Sequence, residues 1–227
     1  MLTVTFFVAA LLHLVFAYFA VRIYQQRRSI YTLLIIVVIF GLFYDNFIIA
    51  IGSFVGEGEL LRGLNAWRFY IHALVTPTLI LYGWATAKQL GIGWAQKPVA
   101  FISLLVLTLL LIALGSSVDI FDLALVPEIE AGTLRYVNDH TAGPPIPAII
   151  TIIVLIVAGA FIWRQHKWYV LCVGAIAMFI LAGAGASILI LSNIGEVILA
   201  GTIVCTDHNL ENLMRKSDQT GGVIATA

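Results

Sequence analysis

Seven apolar runs follow one another along the chain, separated by short polar breaks. A helix needs about 20 mostly apolar residues to cross roughly 30 Å of hydrocarbon. Runs of about that length cover residues 2–24, 30–54, 67–87, 99–118, 146–163, 168–191 and 193–213. The seventh is the most polar, because it holds Glu196, Asp207 and His208. Backbone groups in lipid must be satisfied within their own segment, so the runs predict helices. The expected fold is all-α: a polytopic seven-transmembrane-helix bundle over residues 1–214, with a long loop at 119–147 and a disordered cytoplasmic tail at 215–227.

Within the long loop, residues 133–137 alternate in polarity, and a Gly/Pro-rich return follows them. A plain solvated connector is the preferred reading; a short strand, or a lid over a cavity, is the alternative. In the sixth run, "LAGAGAS" spaces Gly183 from Ser187 and Ala182 from Ala186 by four residues. That spacing of small side chains lets helices approach closely.

Composition makes the membrane assignment firm. The chain has 227 residues, 61% hydrophobic and only 11% charged, with a mean hydropathy of +1.03. Soluble domains carry roughly 25% charged residues. A surface so poor in charge suits a bilayer better than water. The net charge of zero excludes a strongly basic nucleic-acid surface. The N-terminus has no cleavable-leader pattern, so the first run is expected to stay as a span. Cys172 and Cys205 both lie in apolar runs and are expected to be buried, unpaired thiols.

Charge placement predicts a direction. Arg22, Arg27, Arg28, Lys88, Lys97, Arg164, Lys167, Arg215 and Lys216 fall on one side of a seven-span bundle. The other side has Arg62 and Arg135, with Arg68 at the mouth of the third span. The positive-inside rule then puts the N-terminus outside and the C-terminus in the cytoplasm of a cell membrane. Partners expected from this plan are the lipid bilayer and a lipid-soluble small molecule, without nucleic acid.

A charge at the bilayer centre costs about 2.5–3.5 kcal/mol on insertion scales, so ionisable residues inside spans carry information. Here they are His13, Asp45, Arg68, His72, Glu196, Asp207 and His208. At 1.5 Å per residue, Asp45 lies roughly 13 Å from the outer end of its span, His72 at about 8–10 Å and His13 at about 16 Å. Arg68, His72 and Thr76 are four residues apart and share one stripe of the third span. That stripe is expected to face the bundle interior, towards Asp45. Asp45 shares its own stripe with Gly41, Ile49 and Gly52, whose small members predict a close helix contact. Pro77 frees a carbonyl near Ala73. Asp207 and His208 read as solvated or capping groups.

Several chemistries lack their signature. Neither H-x-x-x-H nor H-E-x-x-H occurs, nor G-x-S-x-G, nor a phosphate-binding glycine loop. A metal would need His13, Asp45 and His72 to converge from three helices, and a haem would need His13 and His72 as facing ligands. No metal ligand is assigned, and the cofactor is unknown. Acid–base chemistry stays open. The sequence nominates Asp45 and His72 as catalytic residues, with His13, Asn46, Arg68, Thr76 and Glu196 as ligand-binding ones.

Two likenesses bear on this reading. Arg68, Thr76 and Pro77 resemble the third helix of microbial rhodopsins, but Ile71 stands where a counter-ion acid belongs. The seventh span holds no lysine for retinal, since Lys216 lies beyond it. The plan is also similar to small seven-helix membrane terpene cyclases, with one acid in the second helix and another in the last. Here these are Asp45 and either Glu196 or Asp207. The expected function is binding or transforming a lipid-soluble small molecule. A proton-coupled carrier or sensor, or a structural subunit, is the alternative.

Overall fold

A computed structural model describes the backbone of residues 2–130, 132–140, 144–185 and 188–224, and side chains for all of these except 189 and 216–224. The chain forms α1 (Leu2–Arg27), α2 (Ile30–Val55), α3 (Glu59–Val75), α4 (Leu79–Gln89), α5 (Pro98–Ser116), α6 (Ile146–His166), α7 (Val170–Gly185) and α8 (Leu189–Ile224). Between α5 and α6 lies an antiparallel hairpin, β1 (Leu125–Glu130) and β2 (Thr133–Asn138). Among the described residues, five helical segments are long and apolar enough to cross a membrane: Leu2–Arg27, Ile30–Val55, Pro98–Phe121, Ile146–His166 and Ile190–Arg215. The protein is a helical, multi-pass membrane protein.

Two of the seven expected spans depart from a single long helix. The third is broken by a 3-10 turn at Thr76–Thr78 into α3 and α4. Pro77 accounts for the break, because it has no N–H to donate. The sixth is α7, only 16 residues, or about 24 Å of helix. The last helix runs on to Ile224 and so takes in residues 215–224 of the segment 215–227 expected as a disordered tail. Of the small-residue pattern in "LAGAGAS", Ala186 and Ser187 lie outside the described residues.

The helices close into a ring: α1 packs on α2, α2 on α3, α4 on α6, α6 on α7, α7 on α8, and α8 back on α1. Tight corners shape it. Ser29 caps α2, its hydroxyl accepting from the Tyr31 N–H at 3.2 Å. Gly41 faces Ile71 so closely that a Cβ would sit 2.6 Å from its Cγ2, which is the close contact expected beside Asp45.

Apolar packing is uneven along the bundle axis. Ile23, Ile35, Ile39, Tyr82, Leu155, Ile162, Leu171 and Ile203 form one large core towards the end opposite the hairpin. Among the described residues smaller groups lie nearer the hairpin: Ile48 and Leu61 pack against its Leu134 and Tyr136, and Phe6 packs with Ile49 and Ala50. Around the outside, Val4, Leu11, Leu110 and Ile180 are exposed, as lipid-facing side chains should be.

The hairpin corrects the reading of the long loop as a plain connector. Residues 133–137, with Asn138, are a strand in register from Thr133↔Glu130 to Asn138↔Leu125. It lies directly on α2: a Cβ on Gly52 would collide with the Leu134 carbonyl oxygen. The Ser53 hydroxyl donates to the Gly132 carbonyl and accepts from the Leu134 N–H, each at 2.9 Å. The cysteines need a correction too. Both are free, but Cys205 is exposed and only Cys172 is buried.

Candidate functional site

Polar side chains gather beneath the hairpin, where the apolar core is thin. The Arg68 Nε donates to Asp45 Oδ1 at 2.8 Å, joining α3 to α2. Arg68 Nη1 donates to Asn65 Oδ1 at 2.7 Å. That same oxygen accepts from the Tyr136 N–H of β2 at 3.1 Å. Asn65 is fully buried, and its amide nitrogen donates to the Leu61 carbonyl at 2.8 Å. The hairpin backbone, an amide, a guanidinium and a carboxylate thus form one continuous chain. An ion pair of this kind offsets much of the burial cost of both partners.

On its other side Asp45 meets α8. The Asn193 Nδ2 lies 3.4 Å from Asp45 Oδ2, 3.3 Å from Asn46 Oδ1 and 3.5 Å from Glu196 Oε2. Asn46 is fully buried and donates to the Leu42 carbonyl at 2.9 Å. His13, also fully buried, shares its Nδ1 hydrogen bond with the Ala9 carbonyl at 2.8 Å. Its ring lies within electrostatic reach of Asp45 and close against the Glu196 backbone.

His72 and Thr76 stand apart from this network and join two spaces. One is a crevice of about 10 Å³, shared with Asp45, Arg68, Gly41 and Ile71, which is room for a single water. The other is a cavity of about 330 Å³ between α3, the end of α5 and the start of α6. Leu114, Val118, Pro145, Ile146 and Pro147 give it apolar walls, and His72, Thr76, Asp119 and His140 its polar points. Small-molecule sites have this make-up, and volumes from about 300 Å³ upward. At its rim His140 Nδ1 pairs with Asp122 Oδ1 at 2.9 Å. The hydrogen bond to Asp122 and that carboxylate's charge hold the exposed imidazole above the usual histidine range.

Every residue nominated from the sequence has therefore been placed. Asp45, Asn46, Arg68 and Glu196 come together with His13 close by, while His72 and Thr76 line the cavity. The trio His13, Asp45 and His72 does not converge as a metal site, since no group of three such ligands does so among the described residues. Asp207 reverses its expected role. It is 4% exposed rather than solvated. Its carboxylate accepts from the Thr32 hydroxyl at 2.9 Å and lies 3.7 Å from Arg27. His208 stays exposed.

Four functional candidates had not been singled out. Asn65 precedes Arg68 by three residues and Asn193 precedes Glu196 by three. An amide one turn before an intramembrane charge is a readable signal, because the two share a helix face. Asp119 and His140 had no such signal; loop folding alone brings them to the cavity. Compared with known protein families, curated proteins and solved structures, the chain matches none. The rhodopsin and terpene-cyclase likenesses therefore gain no support beyond the residues quoted for them.

Proposed function

We propose that this protein binds a small lipid-soluble molecule in the His72 cavity and transforms it by acid–base chemistry, with Asp45 as the second proton-exchanging group. The observation that carries this reading is the shared wall: His72 and Thr76 line both the ligand-sized cavity and the crevice that reaches Asp45. In this scheme His72 touches the ligand and exchanges a proton with it. One water in the crevice links His72 to Asp45, and Arg68 fixes the carboxylate. The mainly apolar walls suit a molecule that partitions into lipid.

The same reading takes α1, α2, α3 with α4, α5, α6, α7 and α8 as seven crossings of a plasma membrane, with the hairpin outside. The closed ring of helices and the collection of Arg and Lys at the far end support that plan. The test is mass spectrometry of small molecules that copurify in mild detergent. We expect one specific isoprenoid or lipid-like compound with wild type and its loss with His72→Ala. Bulk phospholipid alone in both samples contradicts the reading.

A further inference from the structure

The cluster around Asn193 has an imbalance that the ion pair to Arg68 does not remove. Asp45 and Glu196 place two carboxyl groups around a single amide nitrogen, at 3.4 and 3.5 Å, with the Asn46 carbonyl oxygen at 3.3 Å. An amide nitrogen carries two hydrogens, so three oxygens compete for them. The one nearby cation among the described residues, Arg68, binds the opposite oxygen of Asp45 and is shared with Asn65. Two carboxylates with one guanidinium would leave a net negative charge between helices of a membrane protein, where it is poorly solvated.

A second, independent feature points into the same place. A backbone carbonyl can only accept, so the His13 Nδ1 facing the Ala9 oxygen at 2.8 Å carries the hydrogen. In the neutral ring Nε2 is then a bare acceptor. It is fully buried and has no hydrogen-bond partner among the described residues. Its surroundings are Asp45 and the backbone of Glu196. An orphaned buried acceptor within electrostatic reach of Asp45, whose own carboxyl crowds that of Glu196 around Asn193, is resolved by one exchangeable hydrogen.

We propose that His13, Asp45 and Glu196 form a proton-binding site between α1, α2 and α8, holding one exchangeable proton at neutral pH. The proton resides on a carboxyl oxygen, neutralises the charge left over by Arg68, and is shared with His13 Nε2 directly or through a water. The charged and titratable groups facing it are Arg68 from α3, His13 from α1, Asp45 from α2 and Glu196 from α8. His72 lies across the crevice. The site stands whether or not the cavity holds a ligand, so it is testable separately.

The experiment is infrared spectroscopy of the full chain in phosphatidylcholine vesicles at neutral pH, in H2O and in D2O. We expect a protonated-carboxyl C=O band that shifts in D2O, loses intensity in Glu196→Gln or Asp45→Asn, and changes frequency in His13→Gln. Asp207→Asn, which alters the other buried carboxyl, should leave it in place. The wild-type comparison needs no variant to fold. Absence of an exchangeable band in wild type overturns the proposal, as does a band insensitive to both carboxyl variants. A band that ignores His13→Gln also overturns the three-helix site.

Discussion

Two buried charge clusters sit at opposite ends of this bundle, and they are built differently. At the far end Asp207 is closed in. Thr32 donates to one oxygen, Arg27 lies 3.7 Å from the other, and Arg27 also donates to the Asp207 and His208 carbonyls. Glu211, half exposed, takes the Arg27 Nε at 3.1 Å. The partners are satisfied and the surroundings are the large apolar core. Near the hairpin, Arg68 and Asp45 are also paired, but their neighbours include a second carboxyl, an orphaned imidazole nitrogen, a crevice and a cavity. The first cluster fastens helices. The second keeps unfinished polar chemistry next to open space, which is where ionisable groups do work.

Removing single groups should separate the two. The largest effect is expected from Arg68→Ala, which leaves Asp45 and Glu196 without their cation. Breaking a buried pair by removing one partner costs about 3–5 kcal/mol. Denaturant unfolding in detergent should show it; a loss below about 1 kcal/mol would mean that the pair is as wet as a surface one. Next is Gly52→Ala, whose Cβ would collide with the Leu134 carbonyl. Overpacking of this kind costs about 1–3 kcal/mol. The hairpin should lift, with faster hydrogen exchange at the Leu134 and Tyr136 amides and the far end unaffected.

Asp207→Ala should cost about 1–3 kcal/mol, the range for an orphaned buried partner, because the Thr32 hydroxyl loses its acceptor while Arg27 keeps Glu211. Ligand content should not change, and a change would erase the contrast between the ends. His72→Ala should do the reverse. Its stability effect should stay within about 1 kcal/mol, since the side chain faces open space, while any specific copurifying ligand is lost.

The smallest effect concerns pH. The His140 imidazole is held above its usual range by Asp122. A raised folded value means that the pair's contribution is fully present below the ordinary histidine range. It is lost as pH rises through the raised value. Hydrogen exchange near residues 118–124 should therefore quicken as pH climbs through that raised value, after correction for intrinsic rates. His140→Gln should abolish that pH dependence without touching the Asp207 end.

Much of this was legible in the chain. Length and apolarity of the runs announced a helical membrane protein, because a bilayer forbids unsatisfied backbone. The four-residue spacing of Arg68, His72 and Thr76 announced a polar stripe, because 3.6 residues per turn stacks them on one face. The pairing of Arg68 with Asp45 also matched its expected direction. The hairpin was legible only as the less favoured reading, from the alternation at 133–137. Strand 133–138 gains its stability from lying on Gly52 and Ser53, some eighty residues earlier. Asp207 was misjudged for the same reason: only the approach of α1 and α2 brings Arg27 and Thr32 to it.

Near neighbours along the chain were enough to announce the helices, their apolar faces and the stripes that must avoid lipid. Tertiary structure alone decided which polar groups meet. It set His72 between a crevice and a cavity, and gathered three oxygens around Asn193. It also buried Asp207 while leaving His13 Nε2 without a partner. Helical periodicity fixes where a side chain points around its own axis, but the partner it finds depends on rotations and depths of other helices, and those are set by packing over the whole bundle.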